Sequence, residues 1–193
     1  MFRELILKSR SYRRFDESTP VSTEVLMQLM EYARFSPSAS NRQPLKYIVS
    51  NTRETNDKIF STLAWAGYLK DWAGPAEGER PTAYIVILLD TTIAKDASVD
   101  HGIAAQSILL GAVDAGFGGC MLGAVNRPKL MQALEIPEAY QVLLVVALGK
   151  PTENVILVDH QPGEPIQYYR DTQQNHYVPK RMMDELLIQS HLE

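Results

Sequence analysis

Residues 33–49 read ARFSPSASNRQPLKYIV and join a predicted helix to a predicted strand through a short polar loop. Pro37 and Pro44 restrict their own φ angles and favour extended geometry in the residues before them, so the loop should be stiff. A stiff polar loop suits a flat ligand that forms hydrogen bonds, although serine, asparagine and proline also form ordinary turns. Five side chains of this loop can each donate and accept a hydrogen bond: Ser36, Ser38, Ser40, Asn41 and Gln43.

The composition indicates a globular protein with a small-molecule partner. The chain has 193 residues, 45% of them apolar, which is enough to bury the core of one domain. A formal net charge of -4 argues against a nucleic-acid surface or an anchor on an anionic membrane. Cys120 is the only cysteine, which excludes an intrachain disulfide and a zinc site built from cysteines. The chain begins without a signal-peptide pattern and has no apolar run of roughly 18 residues, so we expect a cytoplasmic protein.

A basic cluster follows the first predicted helix, in the segment SRSYRRF at residues 9–15. Arg10, Arg13 and Arg14 place three guanidinium groups within five residues, beside the hydroxyl of Ser11. These charges repel one another unless an anion lies among them, and arginine forms two-point contacts with phosphate oxygens. The alternative is a solvated basic turn, because positive charge also stabilises the carboxyl end of a helix.

Hydrophobic periodicity and helix-breaking residues predict both helices and strands along the chain. The first predicted helix ends near residue 9, and the second begins after the N-cap Ser22. The other predicted helices cover 52–69, 101–115, 128–134 and 180–192. The predicted strands cover 47–50, 83–90, 142–148 and 155–158. Two of these strands, 83–90 and 142–148, are too apolar to alternate between apolar and polar residues, which is typical of strands buried on both faces.

Two groups of hydrophobic residues each allow two interpretations. The helix predicted over 101–115, with Asp100 as its N-cap, is apolar on nearly every side. Such a helix belongs in a core or in a subunit interface, and we favour an interface along one side. Trp65, Tyr68 and Trp72 follow one another at helical spacing, before a segment rich in glycine and proline. These aromatic side chains could form the lid of a pocket or ordinary packing.

Four segments match the FMN-dependent nitroreductase family in order and spacing. They are SRSYRRF, SPSASNRQP, DHGIAAQSILLGAVDAGFGGCMLGAV and the end of a buried strand, LGKP. Together they span about residues 10–151, and the chain resembles the family over this length. The segment YYRDTQQNHYVPKR at 168–181 is similar to that of a small-subunit branch of the same family.

The resemblance implies an α+β fold and an intertwined homodimer. A mostly antiparallel central sheet would be flanked by helices in a three-layer arrangement, with two FMN molecules bound across the subunit interface. Residues 1–193 would form a single FMN-binding domain, in which 150–193 form an extended C-terminal arm and helix that wrap the partner subunit. The family chemistry is ping-pong: NADH or NADPH delivers hydride to flavin N5, and the electrons then pass to a nitroaromatic, a quinone or a similar acceptor.

The resemblance also assigns cofactor contacts to individual residues, with flavin N5 as the reactive centre. Arg10 and Ser11 match positions that hold the FMN phosphate, and Arg13 matches a basic position near the flavin N1–O2 edge. A cation at that edge would stabilise the charge that reduction places there. Leu122 and Gly123 correspond to the backbone that passes flavin N5. Lys180 and Arg181 match a basic pair that completes phosphate binding. The matches in the loop that meets flavin from the other subunit are Pro37, Ser38, Ser40, Asn41 and Gln43.

The chain departs from the family pattern at two positions. Ser9 stands where the family often has an arginine, so phosphate binding would depend on Arg10 with Arg181. Leu45 replaces a common tryptophan after the polar loop, which alters packing but not the polar residues.

Two other functions stay open: different flavin chemistry on the same fold, such as reductive dehalogenation or flavin fragmentation, and a non-catalytic flavin carrier or sensor.

Overall fold

The structure is a computed structural model that describes residues 2–192. The chain divides into two compact units. The main unit contains the residues up to Trp65 together with Ala73–Thr152, and the small unit contains Ala66–Trp72 together with the residues from Glu153 onward. None of the helices within 2–192 is both long enough and apolar enough to cross a membrane.

The main unit contains five α-helices, one 3-10 turn and five strands within the described residues. The helices are α1 (Phe2–Lys8), α2 (Thr23–Phe35), α3 (Arg53–Phe60), α4 (Asp100–Asp114) and α5 (Arg127–Ala133), and the 3-10 turn covers Ala39–Asn41. The strands are β1 (Phe15–Asp16), β2 (Leu45–Ser50), β3 (Ala83–Asp90), β4 (Gly118–Leu122) and β5 (Tyr140–Pro151).

The sheet of the main unit is organised around β5. β3 pairs along one side of β5, and β4 pairs along the other side. β2 lies on the outer side of β3, and β1 pairs with the last residues of β5. All of these pairings are antiparallel, so the prediction of an α+β fold with a mostly antiparallel sheet is confirmed.

Helices cover both faces of this sheet. Leu29 of α2 and Ile108 of α4 are fully buried in one cluster with Ile85 of β3. Tyr84 precedes Ile85 and therefore points to the opposite face, where it lines a cavity together with α3 residues such as Asn56. The Asn56 amide donates to the Thr82 carbonyl at 2.9 Å, which fixes α3 on that face.

The helix predicted over 52–69 ends at Phe60, so that prediction is wrong beyond this residue. The backbone after α3 pairs with a distant segment instead. Ala64 N–H donates to the Ala124 carbonyl at 2.9 Å, and Asn126 N–H donates to the Thr62 carbonyl at 2.8 Å. These long-range hydrogen bonds replace the helical ones, so the aromatic residues that follow do not share one side of a helix.

The small unit has three strands and one short helix. They are β6 (Val155–Asp159), β7 (Tyr169–Arg170), β8 (His176–Lys180) and α6 (Met183–Leu186). β8 is central, parallel to β6 and antiparallel to β7. The predicted strand at 155–158 is confirmed, but the helix predicted over 180–192 is wrong because Lys180 ends β8 and α6 has four residues. No residue of α6 is buried, and short helices without a packed face are marginal.

Three smaller differences concern the ends of elements. Val99 is the N-cap of α4, and Asp100 is the first helical residue, whose carboxylate accepts hydrogen bonds from the polar loop. The strand predicted at 142–148 extends over the whole of Tyr140–Pro151. Gly118 begins a strand, β4, that the sequence does not predict, because glycines at this place also match the end of a helix.

Candidate functional site

The guanidinium of Arg10 is partly desolvated and incompletely hydrogen-bonded. Its Nη2 donates to the Ile6 carbonyl at 2.7 Å, while its Nε is buried without a partner among residues 2–192. Burial lowers the pKa of the Arg10 side chain, and the nearby Tyr12 opposes this shift. A cation in this state gains from an anion that accepts its remaining hydrogen bonds, since charge-assisted hydrogen bonds are the strong ones.

The segment that carries the basic cluster lies against β4. Ser11 forms a parallel bridge with Gly119, and Tyr12 N–H donates to the Gly119 carbonyl at 3.0 Å. Arg13 is buried, with Nη1 donating to the Ser11 carbonyl at 3.2 Å. A side chain on Gly119 would collide with the Ala147 carbonyl, so this close approach of backbones requires glycine there. Arg14 forms an ion pair with Glu79 at 3.4 Å.

The same strand leads to the predicted N5 contact. Leu122 is the last residue of β4 and is buried, whereas Gly123 is exposed and has open space where a Cβ would project. Open space beside an exposed backbone amide is what a planar ligand needs for close approach. The segment that holds Arg10, Ser11 and Arg13 thus pairs at Gly119 with the strand that ends at Leu122, just before Gly123.

The polar loop adopts a strained conformation. Ser40, Asn41 and Gln43 have φ angles of 54°, 54° and 52°, in the left-handed region that residues with a Cβ rarely occupy. All three side chains are exposed, and Gln43 Nε2 donates to Asn41 Oδ1 at 3.0 Å. Strain of this kind is concentrated at functional sites, where the surrounding structure holds it.

Hydrogen bonds to α4 hold this loop in place. Ser38 Oγ donates to Asp100 Oδ2 at 2.6 Å, and Ala39 N–H donates to Asp100 Oδ1 at 2.9 Å. Two turns further along α4, Ser107 Oγ lies 2.7 Å from Ser36 Oγ. The sequence predicts Asp100 as a helix cap and does not reveal this role, because the loop and the helix are about 60 residues apart in the chain.

A cavity of about 670 Å³ lies beside the loop, between α2, the start of β2 and the start of α4. Pro37, Ser38 and Gln43 line it on the loop side, and Met30 and Tyr47 line it elsewhere. Burial raises the pKa of the Tyr47 phenol to about 12, with a smaller contribution from the carboxylate of Asp100. The loop therefore borders a space of ligand size.

The loop and the basic segment lie far apart within one chain. The loop enters β2, at one edge of the sheet, and the Pro44 carbonyl accepts from the Asp90 amide at the end of β3. Ser11 lies against β4, on the other side of β5, at the level of Ala83 at the beginning of β3. β3 has eight residues, so its two ends are about 23 Å apart. One chain does not bring these two groups of predicted residues together.

The basic pair of the small unit has different surroundings from those predicted. Lys180 is the last residue of β8, where its carbonyl accepts from His160 N–H at 2.8 Å. Arg181 Nη1 donates to Glu185 Oε2 at 2.9 Å, and this contact lowers the pKa of Glu185. The pair is exposed but does not begin a helix. Its part in phosphate binding stays a prediction.

Comparisons with known proteins agree with this architecture. Residues 6–150 match the model of the nitroreductase family. A predicted NADH dehydrogenase/NAD(P)H nitroreductase of Archaeoglobus fulgidus is 31% identical over 158 residues, which cover 78% of this chain and 85% of that protein. The crystal structure of a nitroreductase family protein from Clostridium novyi NT is 28% identical, with a TM-score of 0.66 over 79% of this chain and 86% of that one. An FMN-dependent nitroreductase from Clostridium difficile R20291 is 22% identical, with a TM-score of 0.62 over 78% and 87% of the two chains. The resemblance found in the sequence is confirmed, and the chain belongs to the nitroreductase family.

Proposed function

We propose that this protein is an FMN-dependent oxidoreductase that uses NADH or NADPH to reduce a nitroaromatic, a quinone or a similar small acceptor by a ping-pong mechanism. Family membership supports an oxidoreductase, and the Archaeoglobus relative carries NADH and NAD(P)H in its name. The structural neighbour from Clostridium difficile R20291 is described as FMN-dependent. The observation that carries the proposal is the desolvated Arg10, in the segment that also holds Ser11 and Arg13 and that pairs with β4 at Gly119. The open backbone at Gly123 follows the last residue of the same strand.

The donors of this segment fit the chemistry of FMN. Arg10 and Ser11 would hold the phosphate, since a buried Nε without a partner suits an oxyanion. Arg13 would face the N1–O2 edge, and the backbone after Leu122 would pass the ring without a side chain in the way. Lys180 and Arg181 would complete the phosphate site, with Arg181 exchanging its Glu185 partner for phosphate. FMN, when bound, supplies the redox chemistry, while the protein binds and orients the cofactor and excludes competing reactions.

We also propose that the active protein is a homodimer in which each FMN lies between two chains. The loop carries Ser40, Asn41 and Gln43 in a strained conformation, yet it lies at the opposite edge and end of the sheet from Arg10. A second chain could bring its loop to the basic segment of the first. The two sets of predicted contacts would then meet around one cofactor.

The C-terminal arm would contribute to this dimer. After β8, the chain carries a run of hydrophobic side chains that nothing described in the small unit buries. Ile188 is 98% exposed and Leu192 is 87% exposed, with Met183 at 66%. Burying such side chains stabilises by roughly 25 cal/mol per Å². In the proposed dimer, residues 150–193 wrap the partner subunit and cover these side chains, so that the arm completes one FMN-binding domain.

Rapid mixing of the FMN-loaded protein with NADH or NADPH tests the proposed reaction. We expect either nicotinamide to bleach the visible flavin absorbance within seconds, and a nitroaromatic or quinone added afterwards to restore it without nicotinamide present. Restoration in a separate second step is the signature of ping-pong transfer. A yellow protein that neither nicotinamide bleaches would contradict a reductase and favour a flavin carrier.

A further inference from the structure

We propose that Asp100 is the positioning residue that fixes the loop at residues 38–43 in the conformation that meets FMN, and that Ser38 serves this anchor without donating to the cofactor. The proposal rests on the proposed function, because it concerns how the same FMN site is organised. It assigns different tasks to residues that family resemblance groups together as flavin contacts.

Asp100 combines burial with two short hydrogen bonds from the loop. The residue is 3% exposed, and each carboxylate oxygen accepts one donor: Ser38 Oγ at 2.6 Å and Ala39 N–H at 2.9 Å. Its place in the first turn of α4 also sets the negative charge at the positive end of the helix dipole. A buried carboxylate held this way is a fixed point, since an unpaired one would be costly to bury.

The hydroxyl of Ser38 has no proton left for a cofactor. A serine hydroxyl offers one donor and two acceptor lone pairs. The Ser38 hydroxyl donates its one hydrogen bond to Asp100, and its oxygen accepts a hydrogen bond from the backbone N–H of Gln43 at 2.9 Å. Ser38 therefore links the helix to the far end of the loop. Ser40 and Asn41, which are exposed, show no hydrogen bond from their hydroxyl and amide donors among the described residues, so these donors are available for FMN.

The link explains how the strained loop is maintained. Left-handed φ angles at Ser40, Asn41 and Gln43 are unfavourable for residues with a Cβ, and they persist where surrounding contacts fix the chain. Asp100 fixes the beginning of the strained stretch through Ala39, and Ser38 fixes its end through the Gln43 amide. Without these bonds, the loop is free to relax towards ordinary backbone conformations.

Two variants test the anchor, one from each side. Asp100→Ala removes the acceptor, and Ser38→Ala removes the linking hydroxyl while leaving α4 unchanged. In the FMN-free full chain, we expect faster hydrogen exchange at the amides of Ala39 and Gln43 in Asp100→Ala, and at Gln43 in Ser38→Ala. Each variant should bind FMN about tenfold more weakly, the scale of one hydrogen bond to a charged group. The double variant should bind little worse than Asp100→Ala, because the two residues act as one unit.

The controls separate positioning from direct contact. Asp96→Ala removes an exposed carboxylate four residues earlier, which among residues 2–192 accepts a hydrogen bond from Ser98 N–H within its own turn. This variant should leave both readouts at the wild-type level. Asn41→Ala should weaken FMN binding without changing exchange at Ala39 or Gln43. If Asp100→Ala fails to fold, Ser38→Ala alone carries the test.

The possible failures are distinguishable. Wild-type FMN affinity or unchanged exchange in the anchor variants would overturn the role of Asp100 and leave the proposed function standing. If the wild-type chain takes up no FMN, the proposed function fails, and the exchange measurement alone decides whether Asp100 fixes the loop.

Discussion

At the scale of single residues, the basic segment decides whether a phosphate is bound. The Nε of Arg10 is buried without a partner, and Arg181 shares its guanidinium with Glu185. We expect Arg10→Ala or Arg181→Ala to weaken FMN binding by about 1–3 kcal/mol, since each removes a charge-assisted contact. Fluorescence titration measures the affinity, and Arg53→Ala, which removes an exposed arginine paired with Glu77, serves as the control. Unchanged affinity in both variants would remove these arginines from the phosphate site.

Tyr47 gives a second residue-scale prediction, because its phenol has a pKa of about 12 in the folded protein. The unfolded phenol titrates near its ordinary value of about 10. Between these values the folded state keeps a proton that the unfolded state has lost, so the free energy of unfolding falls as pH rises through this window. We expect Tyr47→Phe to show a shallower fall in urea denaturation between pH 10 and about 12. Identical slopes in the two proteins would contradict the assignment.

At the scale of elements, α2 and α4 pack closely because Gly111 has no side chain. A Cβ at Gly111 would lie 2.6 Å from Tyr32 Cε2 and 3.0 Å from Leu29 Cδ2. We expect Gly111→Ala to destabilise the fold by about 1–3 kcal/mol, the usual cost of overpacking. Gly102→Ala is the matched control in the same helix, where a Cβ meets nothing within 4 Å. Urea denaturation compares the two, and equal stabilities would show that the helices tolerate the added methyl group.

The elements also show how far the sequence leads. The buried strands, α2 and its N-cap Ser22 follow from periodicity and capping, which are local signals that need no partner. The end of α3 does not follow from local signals, because hydrogen bonds to Ala124 and Asn126, which lie 60 and 64 residues further along the chain than their partners, replace the continuation of the helix. The left-handed conformation of the loop cannot be predicted from the sequence either. Ser40 and Asn41 are not glycines, and the residue that fixes their conformation, Asp100, lies far along the chain. The family motifs name the candidate site residues. Only the fold shows that these residues lie at two different edges of the sheet.

At the scale of the whole molecule, each proposed FMN site needs residues from two chains. We expect light scattering to give a dimer at micromolar concentration, and a monomer that still holds FMN would contradict the shared site. A mixed dimer makes a sharper test, with Arg10→Ala in one chain and Asn41→Ala with Gln43→Ala in the other. If each FMN site is built across the interface, the mixed dimer has one site without substitutions and one site that carries the substitutions of both chains. Sites built within one chain would leave both damaged, and the mixed dimer would then bind no FMN tightly.

The central claim is that the basic segment and the polar loop bind one FMN. Equilibrium titration of the FMN-free protein with FMN, followed by flavin fluorescence, measures this directly. We expect saturable binding at one FMN per chain, a yellow product after removal of free cofactor, and weaker binding in Arg10→Ala. A protein that stays colourless and takes up no FMN from an excess would contradict the account.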